Sequence, residues 1–380
     1  MSKIQISRFM LRFICAAALT TGASAVPGNS QAQQPYHIIA KWKIGGDSEW
    51  DYLHIDQASQ RLYVSHGAKV EVLDAKTGKI IGSIDGLKRC HGIAIDGAGK
   101  YGYISDSSGV VIFDTSTFAK VKTIPLDFGP DGIIYEPVTK TVWTFNGRGD
   151  NANVTAVDTA AQTLAGTIPL SKGRLESTAV DGKGHIFGNL GGDIVRIDAK
   201  TRQIDAQWKT GGEDGSGLAY DTDGNRIFQA CDGKKMFVVN AEGGKVLGSS
   251  EIGDRPDGAG YSAKYHLAFA STGDGFLTVV DANASGFPVI EKLATQSGAR
   301  TMDYDPTTDR IYTISADRDP NSKMPSGPPG QPQGQGQGQS GPGGQSAPGG
   351  SGGPEQQGPG GQNRTSQYVA GTFNVVVIGR

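Results

Sequence analysis

The chain reads as an all-β protein, a seven-bladed β-propeller of four-stranded antiparallel blades, and three observations carry that reading. The segment WDYLHIDQASQRLYVSHGAKVEVLDAKTGKIIGSI, Trp50 to Ile84, holds four short strand-forming runs separated by the turn-rich pieces DQASQ, HGA and DAKTG, which is how an antiparallel meander reads. The residue ending the third run recurs as Asp74, Asp114, Asp158, Asp198, Asn240 and Asp281, at separations of 40, 44, 40, 42 and 41 residues. A period in the forties with four strands per unit points to propeller blades, because one blade cannot bury both faces of its sheet until a neighbour packs on each side. The ends of the first runs, Asp56, Asp96, Glu136, Asp181, Asp221, Ser262 and Asp305, make seven units rather than six.

Taken in order, residues 1–25 carry Lys3, Arg8 and Arg12 without an acid, then the apolar run FICAAAL and the small-residue site Ala23-Ser24-Ala25. This is the pattern of an export signal. Phe13-Ile14 before Cys15 does not fit a lipoprotein signal, so the expected product is soluble, cut after Ala25 and periplasmic or secreted from a bacterium. Residues 26–35 form a polar linker. Tyr36 to Ile44, YHIIAKWKI, is a strand with no preceding strand to pair with, and the last unit ends on NVVVI, Asn374 to Ile378, where the other units have their third strand. The N-terminal strand therefore fills the vacancy in blade seven and closes the ring, which removes both exposed sheet edges.

The propeller is expected over residues 36–319 and 368–380. Between them, residues 320–367 interrupt blade seven, and from Pro325 to Gly361 this insertion uses only Pro, Gly, Gln and Ser apart from Ala347 and Glu355. With no apolar surface to bury it cannot offset its ordering entropy, so it is expected to be disordered. A coil of that length is long enough to touch a neighbouring surface of the cell envelope.

An array closed into a ring shares one core, which overrides the two-domain expectation that 380 residues would otherwise raise. The 36 basic and 38 acidic residues become a net acidic balance once the signal is removed. This argues against nucleic acid as the partner, since phosphate binding needs a basic surface. No apolar stretch after the N-terminus is long enough to span a bilayer, and a monomer is expected. Cys90 and Cys231 fall in units two and five, nearly opposite across the ring and too far apart for a disulfide.

The pieces RLYVSHG (Arg61 to Gly67), KVEVLDAKTGKIIGSI (Lys69 to Ile84) and HGIAIDGAGKYGYIS (His91 to Ser105) resemble the YVTN-type, YncE-like propeller repeat family. The resemblance covers the mature chain apart from the linker and the insertion. It implies an exported seven-bladed protein whose motif residues are structural. More distantly the architecture is similar to gluconolactonase-type and lyase-type propellers, which hold a divalent metal or a general base in the central funnel. No catalytic motif of either carries over onto these residues.

First strands of a propeller line its axis, so the residue entering each one faces the channel mouth. That ring is Asp51, His91, Asp131, Glu176, Ser216, Asp257 and Arg300, six ionisable groups of seven. A second ring, where the second strands end, is His66, Asp106, Asn146, Leu190, Cys231, Ser271 and Ser315. Asp51, His66, His91, Asp106 and Asp131 are expected as one cluster, and His66, His91, Asp106 and Asp131 are the candidate ligands for a divalent cation. Acids at the mouth also have possible partners in Arg89, Arg174, Arg255 and Arg300, with Trp50 and Arg148 as an aromatic wall and a cationic arm. DTDGN, Asp221 to Asn225, has Arg226 where a calcium loop needs glycine and reads as a hairpin turn. Two functions follow: a non-catalytic propeller binding a small molecule or protein at its top face, or a metal-assisted hydrolase, lactonase or lyase working in the funnel.

Overall fold

The computed structural model describes residues 34–46, 49–147, 149–170, 173, 175–321 and 367–380. The expected export signal, most of the linker, Pro325 to Gly361, Arg148 and Arg174 lie outside the described residues. Seven four-stranded antiparallel sheets form the seven blades, six of them from four consecutive strands. Blade 1, for example, runs through Trp50–Asp56, Arg61–His66, Lys69–Asp74 and Ile80–Ile84.

Blade 7 is assembled from both ends of the described chain. Its order is Met302–Asp305, Arg310–Ser315, Asn374–Gly379 and then the N-terminal strand His37–Lys43, which pairs antiparallel with Asn374–Gly379 from His37↔Gly379 to Lys43↔Asn374. The alternation that makes this segment a strand also fits it to the edge: Ile38, Ala40 and Trp42 are half-buried while the residues between them are exposed. Trp42 packs against Tyr312 at 5.8 Å between ring centroids. Beside this seam, the Arg380 guanidinium lies 4.1 Å from the Tyr36 ring centroid and 4.4 Å from that of Tyr265, and it faces Asp309 at 3.5 Å.

The apolar core is divided into packets, each pinched between two adjacent blades. One aromatic per blade anchors it at the same place, the third residue of the second strand: Tyr63, Tyr103, Trp143, Phe187, Phe228, Phe269 and Tyr312, all buried. Truncating one such ring to alanine costs about 3–5 kcal/mol in a packed core.

The repeating acids that betray the period are turn caps. Asp74 accepts from the Thr77 amide at 2.8 Å, Asp114 from Ser116 at 2.9 Å and Asp281 from Asn283 at 2.9 Å. At the ends of first strands, Glu136 takes the Thr139 amide at 2.7 Å and Asp221 the Gly224 amide at 2.9 Å. A short carboxylate holding the amides two and three residues on makes a turn at fixed chain length, so these positions recur for structural reasons. DTDGN is one of these turns.

Candidate functional site

The first strands run down the central channel, and each ring position in blades 1 to 6 carries a β-bulge. Trp50 pairs with His66 and Leu53 with Val64, so the first strand holds one residue more than its partner around Asp51-Tyr52. The same slip surrounds His91, Asp131, Glu176, Ser216 and Asp257. A bulge bends the strand and re-aims a side chain that the regular pleat would direct into the neighbouring blade.

Hydroxyls from adjacent strands and blades hold these bulges. Ser65 Oγ accepts the Asp51 amide at 3.0 Å, and Thr301 Oγ1 of blade 7 donates to the Asp51 carbonyl at 2.7 Å. Ser105 Oγ accepts the Gly92 amide at 2.7 Å and donates to the Asp131 carbonyl of blade 3 at 2.6 Å. Ser177 donates to the Ser216 carbonyl and Ser216 to the Pro256 carbonyl, both at 2.6 Å, while Ser271 donates to the Arg300 carbonyl. These bonds tie the ring backbone across five of its seven blade junctions before any ligand arrives, which is the kind of support a preorganised site requires.

Three ring side chains converge. His91 Nδ1 donates to Asp51 Oδ2 at 2.6 Å and lies 3.7 Å from Asp131 Oδ1. Burial works against protonation of this imidazole, but the Asp51 hydrogen bond and the charges of Asp51 and Asp131 outweigh it and raise its pKa above the ordinary histidine value. On the other side, Arg300 Nε meets Asp257 Oδ2 at 3.0 Å. The Asp257 charge chiefly holds that guanidinium in its charged form against burial.

Tyr52 joins the two sides, although it belongs to neither ring of candidate residues. Its hydroxyl lies 3.5 Å from Glu176 Oε2 across the channel. Burial, reinforced by the charges of Asp131, Glu176, Asp257 and Asp51, holds its pKa well above the ordinary tyrosine value, so it stays a neutral donor. A signal existed: the residue after each ring position is Gly92, Gly132, Ser177, Gly217, Gly258 or Thr301 in the other blades, and Tyr52 is the one large side chain in that row. Small residues are needed there because the first strands crowd; a Cβ on Gly132 would sit 2.5 Å from the Glu176 carbonyl oxygen. The channel cavity has a volume of about 410 Å³ and its lining includes Tyr52, Ile93, Ile133, Leu218, Asp257 and Met302.

His66 and Asp106 are engaged elsewhere. His66 is buried, bonded through Nδ1 to Glu71 Oε1 at 3.3 Å and packed on Phe373 at 4.7 Å. Asp106, fully buried, caps the loop before its blade by accepting the Lys88 and Arg89 amides, each at 2.9 Å. The remaining second-strand ends, Asn146, Leu190, Cys231, Ser271 and Ser315, are also buried. Of the arginines expected beside the ring, Arg89 faces Glu49 at 3.4 Å and Arg255 donates to the Gly273 carbonyl at 2.8 Å. Trp50 stacks on Phe373 at 4.9 Å and meets Tyr368 edge-on at 4.6 Å. Cys90 and Cys231 are free and buried, and burial pushes both thiols up to about 12.

No family model and no curated protein matches the chain. Among solved structures it is similar to the WD40 repeats of RRP9, with a TM-score of 0.64 and 9% identity over 73% of this chain and 89% of that one. It is also similar to a chain of the Kuenenia stuttgartiensis hydrazine synthase, with a TM-score of 0.62 and 15% identity over 75% of this chain and 96% of that one. At such identities the likeness shows the fold. The protein is a seven-bladed β-propeller with ionisable side chains around its channel, a scaffold class that hosts ligand and protein binding. Among the described residues no helix is long and apolar enough to cross a membrane.

Proposed function

We propose that this is an exported propeller of the YVTN-type, YncE-like kind that binds a small molecule or a protein partner at the mouth of its central channel without transforming it. The observation that carries the reading is the row of bulges, which spends regular ladder pairing in six blades to aim polar side chains into the channel. Tyr52 and Glu176 reach toward each other from opposite blades and supply a neutral donor and a carboxylate at its centre. A second reading, a metal-assisted hydrolase, lactonase or lyase, is favoured by the meeting of His91 with Asp51 and Asp131.

The test is a thermal-shift and calorimetric screen of the mature chain against small molecules and peptides, repeated with Tyr52→Phe and Glu176→Gln. A ligand whose affinity falls about tenfold or more in both variants, at unchanged melting, supports the proposal; a tenfold loss corresponds to about 1.4 kcal/mol. A ligand indifferent to both places binding outside the mouth. Turnover in a lactone and ester panel would select the enzymatic reading. Export is read from the N-terminus of the recovered protein, expected at Val26.

A further inference from the structure

The mouth in blades 1 to 3 assembles nitrogen and oxygen donors at metal-ligand spacing. From this we infer that Asp51, His91 and Asp131 bind one divalent transition-metal ion, with His91 Nδ1 and one carboxylate oxygen from each aspartate as its protein ligands. The inference rests on the mouth being a binding surface, and it names a ligand class for one side of it.

Among the described residues these three form a group whose donor atoms all lie within 4.8 Å of one another. Zinc holds its ligands at about 2.0–2.1 Å, so two donors on one tetrahedral ion stand about 3.3 Å apart. The two His91 contacts, 2.6 Å to Asp51 and 3.7 Å to Asp131, bracket that spacing. The third pair, Asp51 with Asp131, lies within 4.8 Å, and the tetrahedral spacing asks each His91 contact to change by less than about 1 Å.

That backbone is fixed by groups other than the ligands. Asp51 is held through its amide by Ser65 and through its carbonyl by Thr301. A single hydroxyl, Ser105 Oγ, bonds the Gly92 amide beside His91 and the Asp131 carbonyl. Locking by surrounding hydrogen bonds is the support a ligand set needs. The three side chains are 21%, 17% and 25% exposed, which leaves the ion a solvent route and room for water ligands.

The donor set selects among metals. Calcium and magnesium take oxygen ligands, whereas an imidazole nitrogen suits zinc and its first-row neighbours, and without a thiolate there is no bias toward copper(I). On binding, Nδ1 first gives up the proton now shared with Asp51, the imidazolium releasing it to solvent and the neutral ring exchanging it through solvent for one on Nε2, and the freed Nδ1 lone pair goes to the metal; a neutral imidazole is left either way and no other reactant is needed.

Zinc titrated into the full mature chain, stripped of metal, should bind at one ion per chain, and cobalt(II) should show visible absorption bands that change when the nitrogen ligand is lost. His91→Gln and the nearly isosteric Asp131→Asn should each weaken binding about tenfold or more, with melting curves of the metal-free variants checking that both fold. Calcium in large excess should not displace cobalt. Absence of saturable one-to-one binding of zinc and cobalt up to millimolar concentration would overturn the site, as would affinity unchanged in both variants or displacement by calcium. The ligand screen on metal-free protein reports separately through Tyr52 and Glu176, so the metal site can fail while the binding reading stands, and the reverse.

Discussion

Blades 1 to 6 and blade 7 put a residue into the same ring by different physical means. In the first six, four consecutive strands form each sheet, and a slip in the register of the first strand aims the ring side chain. In blade 7 the first strand is only Met302–Asp305 and pairs with Arg310–Ser315 without a slip. Arg300 stands outside that ladder, positioned by its ion pair with Asp257 and by the Ser271 bond to its carbonyl. Backbone pairing sets side-chain direction where the chain is continuous; at the seam, charge and cross-blade contacts do so.

Closure of the seam should give the largest effect. A chain lacking residues 34–46 leaves the edge of Asn374–Gly379 without its partner strand, so calorimetry should show a broadened, lower transition and light scattering should show aggregation. A sharp transition at the original temperature would mean that blade 7 does not depend on its borrowed strand.

Next comes the ion pair. Arg300→Met withdraws the guanidinium from a buried carboxylate and should cost about 3 kcal/mol in urea unfolding, with most of that recovered when Asp257→Asn is added. Equal losses in the single and double variants would show that the pair does not hold the seam side of the mouth.

A smaller loss is expected at a bulge. Ser105→Ala removes the hydroxyl serving the Gly92 amide and the Asp131 carbonyl, at about 1–2 kcal/mol by chemical denaturation. A neutral result would leave the bulges to the ladder alone and sharpen the contrast with blade 7.

The smallest effect belongs to the far end of a first strand, where Asp181 caps its turn. Burial raises its pKa, but the His185 amide, the His185 side chain at 2.7 Å and the Lys183 amide outweigh it and hold the carboxyl below the usual range. Its stabilisation is therefore present above the unfolded carboxylate pKa of about 3.9 and lost as pH falls through the lower folded value. Melting between pH 5 and about pH 2 should flatten in Asp181→Asn; an unchanged acid limb would assign acid unfolding to other carboxylates.

Much of this architecture was legible because its causes are local. Asp74 and Asp114 cap turns through amides two and three residues away, so their spacing reports the blade period directly. The half-buried alternation of Ile38, Ala40 and Trp42 is likewise a property of one strand, and the missing fourth strand told where it pairs. Ring membership of Asp51, His91 and Asp131 followed from counting along first strands.

The contents of the site were not local. His66 and Asp106 stand at the ends of second strands, near the ring by count, yet cross-strand register buries one against Glu71 and turns the other onto the Lys88 and Arg89 amides. Tyr52 was visible only as the odd member of a row of Gly, Ser and Thr, and its approach to Glu176 spans 124 residues. By itself the sequence determined the blade count, the capped turns and the closing strand, because each depends on hydrogen bonds or alternation within a few residues or on a simple vacancy. Only the tertiary structure decided which donors meet, because His91 reaches Asp51 and Asp131 through bulges and through the packing of three blades around one axis.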